Sequence, residues 1–307
     1  MFADELERSL SCPVERGRPL APLTTLGVGG SAEYYVEPSR LEDLQAICRT
    51  SVRFGVSVHV LGGGSNVLFV DGVIPGVVLS MRRWNGAVWR RTPEGGAIVE
   101  AQAGHPLSAV LTEAVRRGLG GLEFVAGIPG TVGGAIAGSV GAGGRSVGEF
   151  MTAVTSLERD GSSREWQKGE FVAAYRSFSL TRDERVFLGC RMLLHPAERG
   201  RIESELARFR AARSAQPIGA RSAGCSFKNP PGESAGRLLD RCGCKGMAVG
   251  GAKVSERHAN FIVNEGRATA SDVLSLMRLC QATVLARTGV RLEPEIRVIG
   301  LEAGDAC

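Results

Sequence analysis

Val56–Phe69 reads VSVHVLGGGSNVLF: an apolar run breaks at three consecutive glycines and then resumes. The pattern predicts a short strand running into a loop. Gly62, Gly63 and Gly64 mark backbone that takes positive φ or closely approaches something else. Successive peptide N–H groups without side-chain cover can form a concave anion site, to which Ser65 and Asn66 add donors. An ordinary tight turn has the same pattern, and the loop alone does not separate the two. It is not a P-loop, because no Gly-Lys-Ser/Thr follows, nor a dinucleotide fingerprint, because the GxGxxG spacing and the following helix are missing.

A second cluster, GIPGTVGGAIAG at Gly127–Gly138, shifts the balance. Pro129 stiffens it, and Thr131 offers a hydroxyl among bare backbone donors. Two such loops on one domain suggest a ligand with a diphosphate to cradle and a flat ring. The glycine clusters lack collagen's three-residue period, and the valine, leucine and alanine running through them exclude disorder.

Around the loops the chain alternates element types, and an α+β fold is expected. SRLEDLQAICRTSVRFG predicts a helix with Ser39 as N-cap and Gly55 just beyond its end. HPLSAVLTEAVRRGLGG predicts another, with Pro106 near its first turn and Leu107, Val110, Leu111, Ala114 and Val115 on one face. VTSLERDGSSREW has a hairpin signature at Asp160-Gly161, and RVFLGCRMLL reads as a buried strand. PAERGRIESELARFRAARSAQP is a charged amphipathic helix closed by Pro217, with a domain boundary beside it. Beyond it come short strands around FIVN and a helix whose Val273, Leu276, Met277, Cys280 and Val284 form a core stripe. PEIRVIG closes the chain as a strand.

Composition narrows the function. The net charge is +5, but the arginines are scattered, and no lysine-rich run or aromatic stacking motif points to nucleic acid; an anionic small substrate fits as well. MFADELERSL shows no secretory signal and no run approaches a bilayer span, so a cytoplasmic location without membrane insertion is expected. The eight cysteines, Cys307 included, lack a paired framework and are expected to be reduced. The CGC at Cys242–Cys244 has no second ligand pair near it, so no metal site is expected. No obligate protein partner is inferred.

TTLGVGG, LGGGSNVLF, GLEFVAGIPGTVGGAI, YRSF, SAGCSFKNP and LEPEIRVIG occur in one order along the chain. In that order they resemble the UDP-N-acetylenolpyruvoylglucosamine reductase family over roughly residues 20 to 300, and six ordered motifs are far more specific than one loop. The resemblance implies a two-lobed FAD-binding domain of the vanillyl-alcohol-oxidase (PCMH) type over residues 1–80 and 81–200, then a smaller α+β substrate domain over 201–307. The short interval between Arg176 and Gln216 resembles the branch of the family without an inserted tyrosine loop. The activity implied is NADPH-dependent reduction, through non-covalent FAD, of an enol ether on a UDP-sugar, with NADPH and substrate taking turns in one cleft.

What the resemblance implies about residues follows its motifs. FAD contacts are expected from Thr25 and from Gly62, Gly63, Gly64, Ser65 and Asn66. The second loop would add Gly127, Ile128, Pro129, Gly130, Thr131, Gly133 and Gly134. Arg176 would stabilise charge building on the substrate carboxylate, where such groups must already be aimed. Glu295, the second acid of EPEIR, matches the family's catalytic glutamate, and alternation along a strand would send Glu295 and Arg297 to one face. Tyr175, Lys228, Asn229 and Arg297 are candidates for holding carboxylate, sugar or diphosphate, although Lys228 reads equally well as a solvated loop charge. The family's proton donor is usually a serine, and its position here is Cys225. A thiol with a reference pKa near 8.5 is mostly protonated at neutral pH and far more acidic than an alcohol. The alternative donors are Ser226 or a water.

Three further departures stand out: Ser139 where the family commonly has asparagine, Gly143 where it has tyrosine, and Ala215 where lysine is frequent. Two rivals stay open, the second of them suggested by the changes at Cys225, Ser139 and Ala215. One is another flavin oxidoreductase of the same fold, many of which attach FAD covalently through histidine or cysteine. The other is a nucleotide-sugar-binding module without turnover. The YR, GCSFKNP and EPEIR set argues against the first, since flavin binding alone does not require it.

Overall fold

The computed structural model describes residues 1–180 and 186–301. Arg185, at the head of the expected buried strand, and Cys307 lie outside them. The chain is α+β, and it gathers into two compact units that interleave in sequence. The first takes Met1–Glu15, Tyr34–Gly63 and Gly76–Arg213; the second takes Arg16–Glu33, Gly64–Pro75 and the chain from Ser214 onward.

In the first unit, helices α1 (Phe2–Ser9) and α2 (Leu41–Phe54) come early. Helix α2 buries Leu44, Ile47 and Cys48, and it stops at Gly55, whose φ of 66° suits a residue without Cβ. Its N-cap is Arg40, with no side-chain cap bond, rather than the expected Ser39. What fixes this end is Asp43 in the first turn, which accepts from Ser11 N–H at 2.8 Å and from Ser11 Oγ at 2.6 Å. The strand Val58–Leu61 then runs parallel to the strand Val73–Ser80, Leu61 opposite Ser80.

The unit's main sheet is antiparallel, in the order Ser163–Gln167, Met151–Leu157, Val186–Pro196, Ala97–Gln102, Ala87–Arg91, with Leu119–Gly120 attached to the third. Its first two strands are the expected hairpin: Asp160 Oδ1 accepts from Ser162 N–H at 2.8 Å, and Gly161 has φ 79°. Helices α3 (Leu107–Arg116), α4 (Val132–Ala137) and α5 (Arg199–Ala212) belong to the same unit. Helix α3 buries Leu107, Val110, Leu111 and Ala114, and a fully buried leucine or valine contributes about 1.5–3 kcal/mol. Helix α5 buries Ile202, Leu206 and Phe209 but ends at Ala212, ahead of Pro217, with Arg213 as C-cap. Phe209 meets Phe124 edge-on at 6.5 Å, and Phe124 stacks with Phe150 at 6.3 Å.

In the second unit, strands Ser222–Cys225, Phe261–Asn264, Ala252–Val254 and Ala248–Val249 form an antiparallel sheet in that order. Helix α6 (Ala235–Arg241) follows the first strand, and α7 (Ala270–Thr288) follows Phe261–Asn264. Helix α7 opens on a Thr269–Asp272 capping box and buries the whole expected stripe, Val273 to Val284. The closing strand is shorter than expected: only Arg297–Ile299 pairs, in parallel, with Val67–Phe69.

Candidate active site

In the first unit the two glycine loops lie against each other. A Cβ on Gly63 would stand 3.0 Å from Gly130 Cα, and one on Gly62 would stand 2.7 Å from Thr131 Oγ1. The second distance is shorter than a Cβ tolerates and the first is tight against backbone, so glycine is what lets the loops meet this closely. The second loop is less bare than its sequence suggested. Val132 N–H donates to His105 O at 2.9 Å and Gly133 N–H to Ala103 O at 2.8 Å. Thr131 is buried, and its hydroxyl accepts from Gly134 N–H at 3.4 Å as the N-cap of α4. Gly127, Pro129 and Gly134 remain exposed. Shallow backbone of this kind, kept clear by the absence of Cβ atoms, fits a flat, phosphate-bearing group.

Tyr175 and Arg176 form the two-residue tip of a hairpin between Phe171–Ala174 and Ser177–Leu180. Arg176 has φ 52°, a left-handed conformation that costs a non-glycine residue about 1–2 kcal/mol. Its Nη1 donates to Gly141 O at 3.5 Å, and its guanidinium stands 5.3 Å from the Tyr175 ring centroid. Ser139, two residues before that carbonyl, is also left-handed, with φ 41°. It is 3% exposed, and its hydroxyl has no hydrogen-bond partner.

The second unit gathers the other candidates. Gly64 continues the first loop with φ 68°, its Cα so close to Leu23 O that a Cβ would sit 2.1 Å from it. Thr25 N–H donates to Gly64 O at 2.9 Å, and the Thr25 hydroxyl to Ser222 O at 2.7 Å, so Thr25 fastens the loop to the strand that leads to Cys225. Asn66 Nδ2 donates to Glu295 O at 3.2 Å, and Arg297 N–H to Asn66 O at 3.2 Å. Thr25, Asn66, Cys225 and Glu295 are thus tied by backbone contacts inside one unit.

The strand Ser222–Cys225 carries a bulge. Ser222 pairs with Val263 and Cys225 with Phe261, so three steps on one strand oppose two on the other. Gly224, with φ 78°, absorbs the extra residue. Because strand side chains alternate with period two, one extra residue exchanges the faces of everything beyond it. The result is a half-exposed Cys225 and a Ser226 that is 1% exposed, its hydroxyl buried without a partner. Past the bulge, Glu295 N–H donates to Ser226 O at 2.8 Å and Lys228 N–H to Glu293 O at 2.9 Å. Glu293 is the outward acid, its carboxylate 3.3 Å from Lys228 Nζ, whereas Glu295 is half-buried. Glu295 precedes the closing strand, so the strand-alternation argument linking it to Arg297 does not apply; backbone bonds to Ser226 and Asn66 set its position instead. Asn229 Oδ1 accepts from Ala235 N–H at 3.0 Å at the start of α6, and Arg297 is exposed.

The buried cysteines contrast with Cys225. Burial pushes Cys190 and Cys280 up to about 12, which leaves them protonated and inert. Among the described residues no group of three or more His, Cys, Asp or Glu side chains is arranged to hold a metal ion, and no helix is long and apolar enough to cross a membrane. Sequence reading passed over two residues that shape this site. Gly224 carried a signal, a lone glycine inside a strand pattern. Asn260, whose buried carboxamide bonds Phe227, carried none, because its partner is remote in sequence.

Comparison with known proteins extends these observations. A family model described as UDP-N-acetylenolpyruvoylglucosamine reductase, C-terminal domain, matches residues 216–299, and an FAD-binding domain model matches 32–165. The UDP-N-acetylenolpyruvoylglucosamine reductase of Moorella thermoacetica is 41% identical over 302 residues, covering 97% of each chain. That of Desulfosudis oleivorans is 40% identical over 296 residues, covering 94% of this chain and 95% of its own. Among solved structures, the UDP-N-acetylenolpyruvylglucosamine reductase (MurB) of Thermus caldophilus is similar with a TM-score of 0.79 and 35% identity, covering 94% of this chain and 99% of that one.

Proposed function

The chain belongs to the UDP-N-acetylenolpyruvoylglucosamine reductase family, and from that premise we propose that it reduces UDP-N-acetyl-3-O-(1-carboxyvinyl)-glucosamine to UDP-N-acetylmuramate, a peptidoglycan precursor, with NADPH as co-substrate. It is an FAD-dependent oxidoreductase. In this reading residues 1–80 and 81–200 are the two FAD-binding lobes and 201–307 is the substrate domain, and the enzyme works in the cytoplasm.

Gly62–Asn66 with Thr25, and Gly127–Gly134, would hold the FAD. When bound, FAD supplies two-electron chemistry, a hydride taken from NADPH and given to the methylene carbon of the enol ether. The residues then manage the charge that reduction creates. Negative charge builds on the carbon next to the methylene and spreads into the substrate carboxylate, where Arg176 stabilises it. Cys225 Sγ–H gives its proton to that carbon, completing the saturation, and the thiolate is reprotonated by water. Glu295 works on the same side, its chain bonded to Ser226. Tyr175, Lys228, Asn229 and Arg297 hold the carboxylate, sugar and diphosphate.

The observation that carries the assignment of the donor is the bulge at Gly224, which turns Cys225 outward and buries the hydroxyl of its rival, Ser226. The test of the function is NADPH oxidation by purified protein with and without the enolpyruvyl substrate. The expected protein is yellow, loses its colour to solution on denaturation, and oxidises NADPH stoichiometrically with substrate. A colourless protein that takes up no FAD overturns the reading. FAD that stays with the denatured chain favours a covalent flavin oxidoreductase, and FAD binding without substrate-dependent oxidation favours a non-catalytic binding module.

A further inference from the structure

We propose that Asn260 is the positioning residue of this reaction, holding the segment of the proton donor against the segment of Glu295. The inference rests on the function proposed above. Asn260 is 3% exposed. Its Oδ1 accepts from Phe227 N–H at 2.9 Å, its Nδ2 donates to Phe227 O at 2.8 Å, and its own carbonyl accepts from Ser226 N–H at 2.8 Å.

A carboxamide that satisfies both polar groups of one residue takes the place of a neighbouring strand. It does so where the ladder has run out. The last registered pair of Ser222–Cys225 is Cys225 with Phe261. Beyond it Phe227 bridges Pro294 only through the flanking bonds, Glu295 N–H to Ser226 O and Lys228 N–H to Glu293 O. The N–H and C=O of Phe227 itself therefore point away from that segment and toward Asn260. The buried peptide groups of Phe227 would otherwise lack partners, a state folded chains avoid.

The clamp reaches both proposed catalytic groups through the backbone. One step upstream of the clamped Ser226–Phe227 peptide is Cys225. Ser226 O, in the same stretch, receives the N–H of Glu295. Asn260 is itself oriented by the turn before it, its N–H donating to His258 Nδ1 at 3.2 Å while Phe261 N–H donates to His258 O at 3.0 Å. With its amide spent on Phe227 and its surface buried, Asn260 acts through Cys225 and Glu295 rather than on the substrate.

The test uses the holoenzyme and follows the two half-reactions separately by flavin absorbance. Wild type comes first: a reduced flavin that the enolpyruvyl substrate does not reoxidise refutes the proposed function itself, and with it the premise of this inference. Given wild-type reoxidation, Asn260→Ala should leave flavin reduction by NADPH within about twofold and slow reoxidation about 10- to 100-fold, the scale of a misplaced reacting group. The loss should fall on the limiting rate rather than on the half-saturating substrate concentration, with a larger solvent deuterium isotope effect.

Asn260→Asp supplies a signature that a merely structural role would not move. A neutral carboxyl can donate to Phe227 O and accept from Phe227 N–H as the amide does, whereas a carboxylate cannot donate. The variant's reoxidation rate, divided by that of wild type, should therefore recover as pH falls. Unchanged reoxidation in the alanine variant, equal slowing of both half-reactions, or a ratio in the aspartate variant that stays well below one and does not rise as pH falls overturns the proposal. If the alanine variant does not fold, the pH profile of the aspartate variant decides alone.

Discussion

At Gly62–Gly63 the backbone packs against Gly130–Thr131 with no room for a Cβ, while at Cys225–Phe227 the backbone is laced by Asn260 and Glu295 so that one side chain faces outward. The first region works by leaving side chains out, the second by aiming one. Their sensitivities should differ accordingly. At Gly62, Gly63 and Gly133 an added Cβ is crowded, and the effect belongs on cofactor binding. In the thiol segment the added or lost atom matters through where Sγ ends up, and the effect belongs on the substrate half-reaction.

The largest effect expected is at the aimed side chain. Cys225→Ala should slow reoxidation of the reduced flavin by substrate about 10²- to 10⁴-fold, the usual contribution of a general acid, while NADPH still reduces the flavin. Ser226→Ala, one residue on, should leave both rates close to wild type; a large loss there and none at Cys225 would exchange the two roles. In the loops, Gly63→Ala overpacks against backbone, which cannot swing away as a side-chain tip can. About 1–3 kcal/mol of strain should weaken FAD about 10- to 100-fold in a titration of the apoprotein, with substrate chemistry restored at saturating FAD. Gly224→Ala tests the bulge. The nearest atom to a new Cβ is Ser65 O at 4.0 Å, so space is available, but the φ of 78° is not one alanine adopts cheaply. A loss of about 1–2 kcal/mol is expected in denaturant unfolding, with reoxidation slowed more than reduction.

How much of this was legible differs between the same two regions. The glycine loops were legible as close-packed backbone; the first alone read equally well as a tight turn, and only the pair pointed to a ligand. The helices were equally readable where periodicity and termination agreed, as at Val273–Val284 and at Gly55. What failed were local rules overridden by contacts made elsewhere. Ser39 looked like a cap, but Asp43 binding Ser11 fixes that end of α2. Pro217 looked like a stop, but the helix had already finished at Ala212. Glu295 looked like a residue of the closing strand, but that strand begins at Arg297, and the Pro294 segment bridges Phe227 instead. The thiol's position was readable as a replacement for serine, whereas its outward aim depended on a register shift against Phe261–Asn264 that no local pattern encodes.

Two smaller effects sharpen the contrast. Ser139→Gly removes a buried hydroxyl without a partner and relieves a left-handed φ of 41°, so the variant should be about 1 kcal/mol more stable by denaturant unfolding. Weaker FAD or substrate binding in that variant would instead make the hydroxyl a ligand contact. The mildest effect is expected at His258. Burial, aided by the Lys245 charge, holds its imidazole below the ordinary 6.5, so the folded state favours the neutral ring that accepts from Asn260 N–H. The unfolded chain therefore binds the proton first. This part of the stability is full above about 6.5 and is lost as pH falls through the lowered folded value. His258→Gln should flatten that acid-side loss in a series of melts.

The measurement that reaches the central claim most directly is the pH dependence of single-turnover flavin reoxidation by the enolpyruvyl substrate, in wild type and in Cys225→Ser. If Sγ–H delivers the proton, wild type loses rate on the alkaline side as its thiol ionises, and the serine variant, whose hydroxyl keeps its proton there, holds its rate at a lower plateau. Identical profiles for the two proteins would contradict the account.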